Sequence, residues 1–152
     1  FSYGAGALEI IMSKPSEEWG EATQIYLNCS TIEIHRAQAN NESGWFTVVD
    51  NSAWINLTKT LNVNQTIGHK NLKAGLYNLI RFKILDARIT VGGKNYTALV
   101  PNDELTIAIT EGGIRVNNGQ KVTLLIEINA KVEGSKTTGN FRIVPAVRAT
   151  PV

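Results

Sequence analysis

Five asparagines in this chain of 152 residues begin Asn-x-Ser/Thr triplets, the acceptor motif for an N-linked sugar. They are Asn28, Asn41, Asn56, Asn64 and Asn95. The Asn, Ser and Thr content would give roughly two such motifs by chance, so the excess favours modification. Asn28 and Asn56 alternate with apolar neighbours, which predicts that both side chains face solvent, where a sugar fits. We therefore expect N-linked glycans, and the alternative is an Asn-rich surface without sugar.

No residue pattern indicates an enzyme. His35 and His69 lack the spacing of metal ligands, and neither a nucleophile elbow nor a Gly-rich phosphate loop accompanies them. The acidic stretch PNDE at 101–104 lacks the alternating ligands of a calcium loop. We expect no catalytic residue, no metal and no cofactor.

Three tryptophans leave a carbohydrate-binding role open. Trp19, Trp45 and Trp54 could form a platform on which sugar rings stack, although isolated tryptophans usually pack in the core or at a strand edge. Packing is the interpretation that we prefer.

Composition suits a secreted β-protein. Charged residues make up 18% of the chain, below the globular average of about 25%, and hydrophobic residues 43%. Lys and Arg are scattered, so nucleic acid is not an expected partner, and no apolar run is long enough for a transmembrane helix. The chain begins with Phe1 rather than Met, which predicts a removed signal peptide and an extracellular or cell-surface location. A boundary chosen for expression would look the same.

Alternation of apolar and polar residues dominates the sequence and predicts β-strands, clearly at 105–109 and 122–128. The alternation slips phase after Cys29, which predicts a β-bulge near Ser30 or Thr31. A second slip, after Ile84, predicts a bend or bulge that would turn Leu85 inward with Ala87 and Ile89. Cys29 shares the inward face with Ile25 and Leu27, so we expect it to be buried and reduced.

Turn signals separate these runs: Ala74-Gly75, Gly92-Gly93, Gly112-Gly113 and Asn118-Gly119. Strands of this length at such spacing predict a single β-sandwich of about seven to nine strands. The only predicted helix is a brief one from Pro15 to Trp19. Pro145 cannot donate to a ladder, so the last strand should lie at an edge or be interrupted there.

The opening stretch FSYGAGALEIIMS is an apolar strand with Leu8, Ile10 and Met12 on one face. Gly4 and Gly6 would let this strand pivot away from its surroundings. One interpretation is an ordinary first strand paired within its own domain. The other is donor-strand complementation, in which the segment fills a missing edge in a neighbouring subunit.

Several segments, in order, resemble an uncharacterised family of secreted archaeal and bacterial domains with a prealbumin-like sandwich. The matching pieces are Gly6-x-Leu8-x-Ile10, the strand from Ile25 through His35, Gly44-Trp45, the segment 72–87, the strand from Tyr96 to Pro101, and FRIVPAVR at 141–148. Within that family the chain is most similar to subunits of archaeal surface filaments called threads. The resemblance implies an N-glycosylated extracellular fibre in which the first strand of one subunit completes the next.

The sequence thus leads to an all-β, Ig-like or prealbumin-like sandwich at 13–152 with a donor strand at 1–12. The expected function is a structural subunit that polymerises head to tail with copies of itself. The subunit interface would contain Phe1, Tyr3, Leu8, Ile10 and Met12. The alternative is a monomeric binding module of the cell envelope that holds a glycan or a protein.

Overall fold

The computed structural model describes residues 4–12, 19–37, 44–50, 53–57, 65–100, 104–135 and 137–152. These contain eleven β-strands, more than the seven to nine predicted. The strands are β1 (Ala5–Met12), β2 (Ala22–Arg36), β3 (Trp45–Val49), β4 (Ala53–Asn56), β5 (Gln65–Lys73), β6 (Gly75–Val91), β7 (Lys94–Leu99), β8 (Glu104–Ala108), β9 (Ile114–Val116), β10 (Lys121–Ser135) and β11 (Asn140–Pro151). The brief helix predicted from Pro15 falls almost entirely outside the described residues.

The strands form one continuous sheet that runs in the order β3-β2-β6-β7-β11-β10-β1-β5. In addition β4 pairs with β2, and β8 and β9 pair with β6. The two ends of this path approach each other, since a Cβ added at Gly68 of β5 would lie 2.5 Å from Val49 Cγ2 of β3. The protein is therefore all-β, as predicted, with a sheet that curls until its edges nearly meet. The Ig-like or prealbumin-like sandwich stays a prediction.

One apolar core lies inside this curled sheet, built by the inward residue of each alternating pair. The long strands β2, β6 and β10 supply most of it, and the fully buried side chains include Ile25, Ile34, Ile80, Ile89, Leu124 and Ile126. Among the described residues, no helix is long and apolar enough to cross a membrane.

Both predicted phase slips occur, and they lie opposite each other in the pairing of β2 with β6. The register shifts on either side of Cys29, and Asn28 pairs with Asp86 whereas Cys29 pairs with Ile84. These bulges keep Ile84 and Ala87 buried on the same side. The prediction that Leu85 faces inward is wrong, because Leu85 is the extra residue of the bulge and is 64% exposed.

The predicted turns all separate strands. Gly92 and Gly93 both have positive φ, 58° and 78°, which is the geometry of a two-residue turn between right-twisted strands. At Pro145, β11 pairs with β10 through Ala130, and its pairing to β7 is limited to Phe141 and Arg142. Of the two predicted arrangements, β11 is therefore not an edge strand, but its pairing with β7 ends before Pro145.

Cys29 is buried, as predicted, and no described cysteine is available to it as a partner. Burial raises the pKa of its thiol from an ordinary 9.0 to about 11. The thiolate, which is the reactive form, is therefore scarce in the folded protein at neutral pH.

We expect Cys29 to resist a thiol reagent at pH 8 until the protein unfolds. Because the folded state holds the thiol proton more tightly than the unfolded state, stability should fall as pH rises from 9.0 towards about 11. The loss is at most about 2–3 kcal/mol. Denaturant unfolding at pH 8 and pH 10.5 measures it, with Cys29→Ala as the control that lacks this part of the decrease. Rapid labelling of the folded protein would contradict the prediction.

Candidate functional site

The first strand lies inside the sheet rather than at an edge. β1 runs parallel to β10 on one side, where Leu8 pairs with Val122 and Ile10 with Leu124. On the other side it runs antiparallel to β5, where Ile10 pairs with Gly68. Both edges of β1 are therefore used by main-chain ladders, and the space between β10 and β5 forms a slot for one strand. We call this space the β1 slot.

The inward face of β1 plugs the core. Leu8 and Ile10 are 0% exposed and Met12 is 1% exposed. Burial of each such side chain contributes roughly 1.5–3 kcal/mol. The outward face contributes less, because its ion pair, in which Glu9 Oε2 lies 3.3 Å from Lys121 Nζ, is partly exposed to solvent. The apolar side chains of β1 and its two ladders therefore keep the strand in the slot.

The strand β5 depends on β1 for its place in the sheet. Among the described strands, β1 is the only one that pairs with β5. β5 leads through Ala74 into β6, and Ala74 N donates to Gly4 O at 2.8 Å. An empty β1 slot would leave unpaired edges on both β5 and β10 and would expose the apolar interior between them.

Gly4 and Gly6 allow close approach of β1 to the turn between β9 and β10. Ala7 N donates to Gln120 O, and Gly119 N donates to Ala5 O, both at 2.9 Å. A Cβ at Gly6 would collide with Asn117 O and would lie 2.7 Å from Val116 Cγ1. From the sequence, these glycines are interpreted as a point about which β1 can pivot. The structure gives them a steric role instead, and the pivot itself stays a prediction.

The predicted interface residues divide into two groups. Leu8, Ile10 and Met12 fill the β1 slot of their own chain, while Phe1 and Tyr3 lie outside the described residues. In the single chain β1 therefore occupies the position that a donor strand would take. Exchange of residues 1–12 between copies stays a prediction, as does the division of the chain into a tail and a domain.

The predicted sugar acceptors that the structure describes share one surface. Asn28, Asn56 and Asn95 project from the outward face of β2, β4 and β7, which we call the sequon face. The cross-strand registers place them together. Tyr26 of β2 pairs with Asn56 on one side and with Arg88 on the other, and Thr90, two residues after Arg88, pairs with Asn95. Asn95 is exposed, and the other two are half-buried. Asn41 and Asn64 lie outside the described residues.

A groove of about 490 Å³ crosses the sequon face and contains the one largely exposed tryptophan among the described residues. Trp54 is 47% exposed, and the Arg88 guanidinium lies 5.4 Å from its ring centroid. Trp45 differs, because its ring meets His35 edge-on at 4.9 Å and lies under Arg81 at 4.0 Å. Trp19 packs against the core. The three tryptophans thus form no common platform.

The structure describes both histidines, His35 and His69. His35, predicted as a polar residue at a strand end, is buried, and its Nδ1 lies 3.4 Å from Asn78 Oδ1. Across the part of the chain that the structure describes, no three His, Cys, Asp or Glu side chains are placed to hold a metal ion. Most of the stretch 101–104 lies outside the described residues.

Residues 5–145 match the model of a family described as "Domain of unknown function (DUF4382)". Because the match covers most of the chain, the protein belongs to this family. Neither a curated protein nor a solved structure matches it.

The close approach at Gly6 predicts a large effect of a small substitution. Gly6→Ala should lower the free energy of unfolding by about 1–3 kcal/mol, because two of the three obstructing atoms are the main-chain oxygens of Asn117 and Gln120. For Gly4→Ala, the three nearest atoms all belong to the Asn118 side chain, so Asn118→Gly should rescue it. Denaturant unfolding of the four variants, including Gly6→Ala with Asn118→Gly, measures the difference. Equal rescue of both glycine variants would contradict a main-chain clash at Gly6.

Proposed function

We propose that this DUF4382 protein is the structural subunit of an extracellular, pilus-like filament similar to archaeal threads. In the filament, β1 of one copy enters the β1 slot of the next copy, and N-linked sugars cover part of the outer surface. The observation that carries the proposal is the position of β1, which fills a two-sided slot although neither ladder partner is its neighbour in sequence.

The position of β1 allows copies of the protein to exchange this strand without losing contacts. A β1 from another copy has the same sequence, so it would restore every contact of the slot, including the ladders and the three buried side chains. The link at 13–21 between β1 and β2 has nine residues and can span about 30 Å when extended. Among the described strands, β1 pairs with β5 and β10, and neither of them adjoins it in sequence through a hairpin turn.

Head-to-tail exchange would also produce a fibre rather than a dimer. In such exchange each copy uses its β1 on one side and its slot on the other, so the contact is heterologous. A heterologous contact whose rotation does not close a ring continues as a helical filament. Each joint would bury Leu8, Ile10 and Met12, which makes dissociation slow.

A monomeric binding module of the cell envelope is the second candidate, and one observation favours it. The single chain completes its own slot, and it presents Trp54 in a groove of the kind that accepts sugar rings. The two candidates differ in which copy supplies β1. A chemical test of that strand's origin therefore separates them.

A disulfide across the slot should report the origin of β1. Glu9 and Thr123 are direct partners in the parallel pair of β1 with β10, and Thr123 Oγ1 lies 3.5 Å from Glu9 Oε1. In a Cys29→Ser background, one chain carries Glu9→Cys and another carries Thr123→Cys. After co-expression and oxidation, strand exchange predicts a disulfide-linked pair of the two chains on a non-reducing gel. A chain with both substitutions should form a covalent ladder.

The control chain carries Asn129→Cys in place of Thr123→Cys. Asn129 lies six residues farther along β10, about 20 Å away, so no link should form with Glu9→Cys. A closed monomer from the doubly substituted chain, without any linked pair from the mixture, would refute the filament and favour the binding module.

Removal of β1 should leave a receptive slot. A chain of residues 13–152 should unfold at a lower denaturant concentration and should be rescued by adding the peptide FSYGAGALEIIM in trans. The peptide with Ile10→Asp should fail, because a buried carboxylate without a partner costs several kcal/mol. The matched peptide with Ile11→Asp should still rescue, since Ile11 is half-buried on the outward face. Equal behaviour of the two peptides would contradict specific filling of the slot.

A further inference from the structure

The groove on the sequon face is lined by a sugar acceptor as well as by aromatic rings. Its lining residues are Gln24, Tyr26, Trp54, Arg88, Thr90 and Asn95. Asn95 begins the triplet Asn95-Tyr96-Thr97, and Thr97 pairs with Arg88 across the ladder of β6 with β7. The asparagine and the threonine of this motif therefore both lie beside the groove.

The side chain of Asn95 is held in a way that an N-linked sugar would preserve. Thr90 Oγ1 donates to Asn95 Oδ1 at 2.8 Å. An N-linked sugar is attached through Nδ2, which leaves Oδ1 free to accept this hydrogen bond. Asn95 follows the tight turn at Gly92-Gly93, so its position is fixed by a hairpin and not by a long loop. The attached sugar would start at a defined point on the groove wall.

The rest of the groove offers the groups that sugar rings contact. Trp54 is largely exposed in the groove, and Tyr26 lies on the adjacent strand. The C–H face of a sugar packs on such rings, whereas its hydroxyls need hydrogen-bond partners. Arg88 provides donors, and the Gln24 side chain, which contacts the Tyr26 hydroxyl, provides both donor and acceptor atoms. The lining thus combines apolar stacking surface with polar groups at its margin.

We propose that the glycan on Asn95 folds back into this groove and packs its first sugars against Trp54 and Tyr26. The inference rests on the glycosylation that forms part of the proposed function. A tethered sugar has an effective concentration in the millimolar range at the groove, well above that of a free oligosaccharide. The attached glycan therefore occupies the groove and excludes other ligands from it.

Residue-resolved oxidation of the native glycoprotein tests this. Hydroxyl radicals oxidise exposed side chains, and mass spectrometry gives the rate at each tryptophan. Thr97→Ala removes the motif but keeps Asn95, and Thr97→Ser keeps both. Oxidation of Trp54 should be about threefold or more faster in Thr97→Ala than in Thr97→Ser, because the covering sugar is lost. Trp45, covered by Arg81, should react equally in both and is the internal control.

A second variant identifies which sugar covers the ring. Asn28 lies directly opposite Trp54 in the pairing of β2 with β4, and Ser30→Ala removes its motif. Trp54 oxidation that responds to Ser30→Ala and not to Thr97→Ala would overturn the assignment to Asn95. A second outcome would overturn the assignment in favour of a binding groove. In it, Trp54 is oxidised equally in the two Thr97 variants, and only added free glycans, released from the native protein, protect Trp54 in Thr97→Ala.

The same samples separate this inference from the proposed function. Peptide mass spectrometry of the unsubstituted glycoprotein shows whether Asn95 carries sugar. An unmodified Asn95 would reject glycosylation at this site and the inference with it. A modified Asn95 with equal Trp54 oxidation in the two Thr97 variants would reject the inference alone.

Discussion

The double ladder that holds β1 between β10 and β5 is the interaction on which the rest of the structure depends. Without it, β5 has no other ladder among the described strands, and the contact of β5 with β3 that nearly closes the sheet has no support. The three buried side chains of β1 also complete the core between the two halves of the sheet. The described sheet thus depends on the eight residues of β1 for its near closure and for part of its core.

The partner strands of β1 lie far from it in sequence, and this affects both folding and exchange. Ile10 pairs with Leu124, so the ladder closes a very long loop, and such contacts form slowly because loop-closure entropy opposes them. During the interval before closure, the slot is open to an identical strand from another copy. The same long separation therefore delays self-pairing and permits pairing between chains.

Local features of the fold could be predicted from the sequence, whereas features that depend on register could not. The alternation, the turns and the two phase slips each depend on a few consecutive residues. The orientation of Leu85 was predicted wrongly because a phase slip does not specify which residue becomes the extra one. The steric role of Gly6 needs the turn at 117–120, more than 100 residues away. Likewise, the alternation of apolar and polar residues predicts that Asn28 faces outward. Only the pairing of β6 with β7 brings Asn95 to the same face.

The parallel alignment of β1 with β10 has a mechanical consequence. Tension applied along the axis of β1 loads the hydrogen bonds of both ladders together, in shear, so they must fail as a group. A force perpendicular to the strand would instead peel the ladders open one bond at a time, starting from one end. The resistance of this domain to pulling is therefore anisotropic, and it is greatest when opposite ends of the parallel strands β1 and β10 are pulled apart.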